Sequence, residues 1–431
     1  MRWFIPGIGV KRWFLVLLVG ITLIGTGLAI YLLDMYRTAP NTWWLPIISF
    51  LSLRFLTRPW RILVFIGIGF GLIGVGIWRL NRSLLVPFLR PGQKLVDQVT
   101  DYRRRERGPR IVAIGGGHGI ATVLRGLKGY TNNLTAVVSV ADDGGSSGEL
   151  RRSLGILPPG DIRNCLAALS DDEALLTQLF QYRFGEDTGL GGHSFGNLFI
   201  SALSDITGSF EEAIAESGRA LSVHGQVLPA TLHNVRLVAD VQLANAQAEV
   251  RVEGESQIPQ AAGRVRRVWL EPDNPSAFPP VIQAVLAADM IIIGPGSLYT
   301  SLLPNLLVSD LLEAIRASRG LKIFISNVTT QPGETDMYTA GDHIRTLERL
   351  VGSELVNIII SNSWYDSALE NGMQWVRVDE ALERDSRLYM SDLADHRQPR
   401  HHDSVRLAHA VMDLYNERTG PMIKEQSTQW R

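Results

Sequence analysis

Five short runs of aliphatic and β-branched residues recur between residues 110 and 361: "RIVAIG", "LTAVVSV", "DMIIIGPG", "LKIFIS" and "LVNIIIS". They are apolar almost throughout rather than alternating with polar residues, so both faces of each strand must be covered. That is the condition of a parallel sheet packed between helices. Helical patterns fill the intervals, in "IATVLRGLKGY", "DIRNCLAALSDDEALLTQLFQYRF" and "DLLEAIRASRG". The alternation predicts an α/β fold with a doubly wound, mostly parallel sheet. Residues 226–271 depart from it, because "AEVRVEGES" and "GRVRRVWLEP" alternate polar with apolar. They predict a small antiparallel β insert.

The first hundred residues are of another kind. Residues 13–33, "WFLVLLVGITLIGTGLAIYLL", are 21 positions without a charge, which as a helix cover roughly 31 Å, enough to cross a bilayer. The run is too long for the apolar core of a signal peptide, and no small-residue cleavage site follows. Residues 62–78, "ILVFIGIGFGLIGVGIW", form a second uncharged run between Arg61 and Arg79. Its glycines weaken a helix in water and are commoner in membranes. The expectation is an N-terminal two-helix transmembrane hairpin over residues 1–80, with Trp43 and Trp44 at the interface. Arg2, Lys11 and Arg12 precede the first span, and the stretch from Arg79 to Arg110 is strongly basic. The charge bias therefore places both ends, and the main domain, on the cytoplasmic side of the inner or plasma membrane. Residues 81–109 read as a basic juxtamembrane linker, 110–418 as the α/β domain, and 419–431 as a polar tail that frays from about Leu414. A net charge of −1 supplies no field for nucleic acid, and one cysteine, Cys165, excludes an intrachain disulfide and a cysteine-built metal site.

Glycine-bearing loops follow the strand runs, and in a parallel sheet such ends share one edge. After "RIVAIG", Gly115, Gly116, Gly117, His118 and Gly119 open a helix whose first N–H groups attract phosphate. Ile120 stands where a dinucleotide fingerprint needs its third glycine. After "LTAVVSV" come Asp142, Asp143, Gly144, Gly145, Ser146 and Ser147; the acids suit a ribose, a metal or a polar substrate, and the serines a phosphate. Asp161 is the expected N-cap of the next helix, with Arg163 and Asn164 in its first turn, where a cation opposes the helix dipole and so points to an anion. Gly192 to Gly196 match G-x-S-x-G, but no strand leads into Ser194, so the strained hydrolase elbow is not formed. His193, Ser194 and Asn197 are read instead as hydrogen-bonding loop residues. Gly294, Gly296 and Ser297 look like a further phosphate or sugar cradle, with Tyr299 able to stack on a ring. Asn327, Gln331, Glu334, Thr335 and Asp336 share the last loop.

These segments, with "LPPGDIRNCLAALS", "GHSFGN", "IGPGSLYTSLLPNLL" and "NVTTQPGETDMYTAGDH", resemble the YvcK-like gluconeogenesis factors, which share a superfamily with the CofD-like phospholactate transferases. The likeness covers about residues 110–415. It implies a Rossmann-like fold, a crevice that binds a uridine-diphosphate amino sugar, UDP-N-acetylglucosamine, and a regulatory role in cell shape and wall synthesis on gluconeogenic carbon sources. The family's glycine loop falls on Gly115, Gly116, Gly117 and Gly119, its acidic loop on Asp142 to Ser147, and its "GPGS" loop on Gly294, Gly296 and Ser297. In the transferase branch, an aspartate at the Asp142/Asp143 position contacts the acceptor and magnesium takes part. The family usually carries threonine at His118, and its basic Arg-His-Asp-Thr motif is "RHHDS" here, with Arg400 displaced by one.

Three functions follow as alternatives. The first is a membrane-tethered nucleotide-sugar-binding regulator, supported by phosphate-binding loops without a nucleophile and oriented base. The second is a magnesium-dependent phosphotransferase of the phospholactate type, with Asp142, Asp143 and Arg163 as its catalytic set. The third, a nicotinamide dehydrogenase, is disfavoured by the broken fingerprint. The expected partners are a UDP-sugar and the lipid bilayer, with self-association open and nucleic acid excluded.

Overall fold

The computed structural model describes residues 104–170, 175–243, 249–261, 263–365, 369 and 372–419, with scattered positions between 18 and 74. The chain divides into two compact units, Met1–Asp97 and Gln98–Arg431. In the first unit, Leu18, Ile21, Thr22, Gly25 and Ala29 are helical, and the Leu18, Ile21, Phe50, Trp60, Leu63 and Phe70 side chains are exposed. Most of both uncharged runs lies outside the described residues. Among the described residues, no helix is long and apolar enough to cross a membrane.

The second unit is built on a seven-stranded, wholly parallel sheet. Its strands are β1 (Ile111–Gly115), β2 (Leu134–Val138), β3 (Gln226–Pro229), β7 (Met290–Ile293), β8 (Leu321–Ile325), β9 (Ile358–Asn362) and β10 (Leu388–Ser391). The order across the sheet is β10-β9-β8-β7-β1-β2-β3. The chain thus starts in the middle, winds outward through β2 and β3, then returns to the other side of β1 and winds out through β7 to β10. A separate antiparallel sheet holds β4 (Arg236–Leu243) between β5 (Glu249–Glu253) and β6 (Gly263–Glu271). The insert therefore begins at Arg236. Gln226–Pro229, expected in it, pairs in parallel with β2 as the edge of the main sheet.

Helix α1 (Gly117–Leu127) follows β1. Between β2 and β3 come α2 (Gly145–Leu154), α3 (Gly160–Leu169), α4 (Leu175–Gln181), α5 (Phe195–Thr207) and α6 (Phe210–Ala220). The single helix expected over 161–184 is thus two, α3 and α4. Helix α7 (Pro279–Ala287) precedes β7, and a π turn (Leu298–Leu302) follows it, continuing into α8 (Leu303–Leu306) and α9 (Ser309–Ala317). Helices α10 (Ala340–Val351), α11 (Glu380–Glu383) and α12 (Ser404–Thr419) complete the fold. The last runs five residues past Leu414, where fraying was expected; residues 420–431 lie outside the described ones.

The core explains the strand sequences. All five residues of β1 are buried, with Ile111 opposite Leu134 on one side and Met290 on the other. Each fully buried aliphatic side chain of this kind contributes about 1.5–3 kcal/mol. Helix α1 covers β1 with Ile120, Val123, Leu124 and Leu127, spaced three and four apart on one face. Its outer side carries α12 so closely that a Cβ on Gly126 would stand 2.0 Å from the Ser404 carbonyl oxygen and 2.8 Å from Ala408 Cβ. Gly126→Ala therefore forces two helices apart. It should lower stability by about 1–3 kcal/mol, seen as a lower urea midpoint at unchanged slope. An unchanged midpoint would show that the helices do not meet at that residue.

Candidate functional site

The strand order reverses between β1 and β7, the place where open α/β sheets leave a crevice at the strand C-termini. A cleft of about 390 Å³ lies there. Gly116, Gly117, His118 and Gly119 form one wall, Pro295, Gly296 and Ser297 the other, with Asn327, Arg400 and His401 around them. The two walls touch backbone to backbone, since a Cβ on Gly119 would come within 2.2 Å of the Pro295 carbonyl oxygen. Gly117 sits at φ +61°, where a side chain would be strained. Gly115 stands behind them, its carbonyl held by Asn305 Nδ2 at 3.0 Å.

The walls look alike in sequence and differ in chemistry. On the β7 side the donors are already used. The buried Glu334 carboxylate accepts from the backbone N–H groups of Tyr299 at 2.9 Å and Thr300 at 3.0 Å, and from the Ser297 hydroxyl at 2.7 Å. Gln331 Oε1 lies 3.0 Å from the same hydroxyl. The Asn327 amide grips both ends of Gly296, Oδ1 accepting its N–H at 3.0 Å and Nδ2 donating to its carbonyl at 2.9 Å. The Gly294–Ser297 loop is thus a wall clamped by Asn327 and Glu334, and the cradle expected there is filled by a carboxylate. Tyr299 is buried, its hydroxyl 2.7 Å from that of Tyr338, so it offers no face for stacking. Thr335 Oγ1 accepts from the Gln331 N–H, and Asp336 from that of Gly333.

On the β1 side the helix starts are only partly satisfied. The N-cap residues of α1, α2 and α3 are Gly116, Gly144 and Pro159, and none of the three supplies a capping side chain. Each brings first-turn N–H groups and a partial positive charge of about half a unit. Asp161, expected as an N-cap, is inside the first turn of α3 instead. Its carboxylate accepts from the Gly117 N–H and faces Gly116. Ser147, buried, accepts from the Gly160 N–H at 3.1 Å.

The two neighbouring acids part company. Asp142 turns inward, accepting the Gly144 N–H at 2.9 Å beside Gly160. Asp143 turns to the insert, its Oδ1 accepting the Ser256 N–H at 2.9 Å and its Oδ2 lying against Gly254. A magnesium ion shared by both carboxylates does not fit this arrangement. Among the described residues no group of three or more His, Cys, Asp or Glu is placed to hold a metal. The insert supplies an acid that the sequence gave no reason to select. Burial and the charges of Asp142, Asp161 and Glu334 raise Glu255 to about 8. Burial and Asp142 raise Asp161 to about 6. Burial likewise raises Asp142.

Cations gather on the opposite flank. Arg163 is buried, its Nη2 donating to Asn164 Oδ1 at 2.8 Å and its Nε left without a partner. Burial, then the charge of Arg183, lowers it to about 10. Arg183 is a second residue that sequence reasoning passed over, although it stands in the quoted "QYRF". Partial burial and the charges of Arg163, Arg125 and Arg183 lower His118. Ser146 joins this flank, its hydroxyl 3.0 Å from His193 Nδ1 and accepting from Asn197 Nδ2 at 2.9 Å. Asn197 Oδ1 is buried without a partner. Ser194 is fully buried and caps α5, accepting the Asn197 N–H, so it is no nucleophile. Arg400 reaches the cleft, its Nε donating to His401 Nε2 at 3.0 Å.

The family described as 2-phospho-L-lactate transferase CofD matches residues 111–397, from β1 past β10. The chain belongs to the CofD family. Among its relatives is the candidate gluconeogenesis factor of Nostoc sp., 51% identical over 81% of this chain and 76% of that protein. The gluconeogenesis factor of Bacillus subtilis is 49% identical over 59% of this chain and 79% of its own length. A crystal structure of a UPF0052-family protein from Bacillus halodurans, 40% identical, superposes with a TM-score of 0.66 over 71% of this chain and 99% of that one. The α/β unit thus forms the full length of a solved relative.

Because Asp143 holds the insert, Asp143→Asn should cost about 1 kcal/mol of stability and leave ligand affinity in the cleft within about twofold. A tenfold loss of affinity at unchanged stability would return Asp143 to the binding site.

Proposed function

We propose that the protein is a nucleotide-sugar-binding regulator whose cleft takes UDP-N-acetylglucosamine, with the diphosphate at the open first turn of α1. The observation that carries this reading is the contrast between the walls: the start of α1 at His118 and Gly119 carries no side-chain cap, and it faces a β7 loop in which Gly296, Tyr299 and Thr300 have already given their N–H groups to Asn327 and Glu334. A diphosphate meets a helix N-terminus there, as anions do in many α/β proteins, with Arg400 and the Arg163–Arg183 flank adding positive charge. Glu255 at about 8 is protonated at neutral pH and can donate to a sugar or phosphate oxygen. Asp142, beside Gly160 at the start of α3, would accept from a ligand hydroxyl. Names among the relatives support a gluconeogenesis factor, acting in cell shape and wall homeostasis during gluconeogenic growth. The N-terminal runs, with exposed apolar side chains at Leu18, Ile21, Leu63 and Phe70, would tether the α/β unit to the cytoplasmic face of the membrane. Deleting residues 1–97 should move the protein from the membrane fraction to the soluble one; a protein already soluble at full length would sink the tether.

A second reading, phosphotransfer of the phospholactate type, is favoured by the family match and by the Asp142–Asp161 pair beside Gly117. Calorimetry of the purified full chain separates the two. UDP-N-acetylglucosamine should bind and be recovered intact, whereas phosphate-containing product released from a guanosine nucleotide substrate would establish the transferase. Gly119→Ala, which drives a Cβ into the Pro295 carbonyl, should weaken binding by tenfold or more.

The raised acids give a pH signature. Carboxylates with pKa values of about 6 and about 8 carry charge at high pH and repel a diphosphate. As pH falls through these values they take up protons, and the repulsion is relieved. Affinity should therefore tighten about three- to tenfold from pH 8.5 to 6.5, within the limit of tenfold per unit per proton. Affinity that rises with pH and requires added magnesium would instead mean a cation between acids and phosphates.

A further inference from the structure

A second cavity, of about 240 Å³, lies away from the cleft, lined by Arg105, Arg125, Lys128, His224 and Tyr130 among others. Its position follows from topology. Helix α1 runs back against β1, so its last turn, with Arg125, returns to the edge where the strands begin. Arg105 stands just before β1, its carbonyl accepting the Asn132 N–H at 2.9 Å, and His224 stands just before β3. The cavity and the cleft are therefore at opposite ends of the strands.

None of the residues lining this cavity is acidic. Lys128 has a structural task, its Nζ donating to the Ser170 carbonyl at the end of α3, 2.7 Å away, where a cation suits the helix dipole. The two arginines are different. Arg105 has its Nε buried with no partner, and Arg125 has no carboxylate across the cavity. Like charges gathered around a concave space repel one another unless an anion joins them. Guanidinium groups match the oxygens of a phosphate in paired hydrogen bonds, which an isolated ammonium does not.

We infer that this cavity is a second anion site, taking a phosphate group between Arg105 and Arg125. Its chemistry is shared by a free phosphate and by the headgroup of an acidic phospholipid, and it does not depend on what the cleft binds. The full-length chain in a zwitterionic detergent is titrated calorimetrically with inorganic phosphate and, separately, with short-chain phosphatidic acid, using short-chain phosphatidylcholine as the blank. Arg105→Gln and Arg125→Gln should each weaken binding about tenfold, with the urea midpoint of both variants kept near that of the parent and the UDP-N-acetylglucosamine affinity of Arg105→Gln unchanged, which shows that they fold. Binding of phosphatidic acid alone identifies a lipid headgroup; equal binding of inorganic phosphate identifies a free anion. Absence of binding by either at millimolar concentration, or binding by both variants equal to the parent, overturns the inference. Loss of nucleotide-sugar binding in the parent protein with phosphate binding intact would remove the cleft reading and leave this one standing.

Discussion

The site depends on a contact between two stretches of backbone. Gly119, in the first turn of α1, lies against the carbonyl of Pro295 in the loop after β7, at a separation that admits no side chain. At the other end of the same helix, Gly126 lies equally close to the start of α12. A helix gripped at both ends by backbone has little freedom to slide or roll, because interiors packed to this density resist displacement. Its first-turn N–H groups are consequently fixed in space. Pre-positioned donors of that sort bind an anion without the cost of ordering a loop around it.

The carboxylates near the cleft divide into two groups with opposite tasks. Glu334 and Asp143 are clamps on distant segments, Glu334 accepting the N–H groups of Tyr299 and Thr300 and Asp143 that of Ser256. Burial raises Glu334, and the hydrogen bonds from Ser297, Tyr299 and Thr300 oppose that rise. Burial raises Asp142, Asp161 and Glu255, and the charge of Asp142 raises Asp161 further, as those of Asp142 and Asp161 do Glu255. Such a group holds its protons more readily than ordinary acids do. Near neutral pH it therefore presents less negative charge to an arriving phosphate than three carboxyls in water would.

Most of the fold is legible in the sequence because its strands are covered on both faces and hence written in unbroken apolar letters. The edge strands were harder. Gln226–Pro229 shows a mixed burial pattern and reads as the start of the insert, and Leu388–Ser391 is only half-buried and left no apolar run to find. The break between α3 and α4 was equally hidden, since the helical pattern continues across it. The glycine loops were legible as sites at strand ends but not as to kind. What separates the open wall at Gly117 from the closed one at Gly296 is the pair Asn327 and Glu334, which stand 31 and 37 residues from the groups they hold. No local pattern carries that information. Asp143, adjacent to Asp142 in sequence, turns away because Gly254 and Ser256 offer it a pocket and a donor from the insert.

The direction of the strands also orders the molecule from one end to the other. The chain enters β1 at Arg110, beside Arg105 and the last turn of α1, and all seven parallel strands then run toward the cleft. The arginine-lined cavity thus lies by the strand starts and the first turn of α1 by the strand ends, so two anions held at these places would be separated by the length of α1 and would not compete for the same side chains.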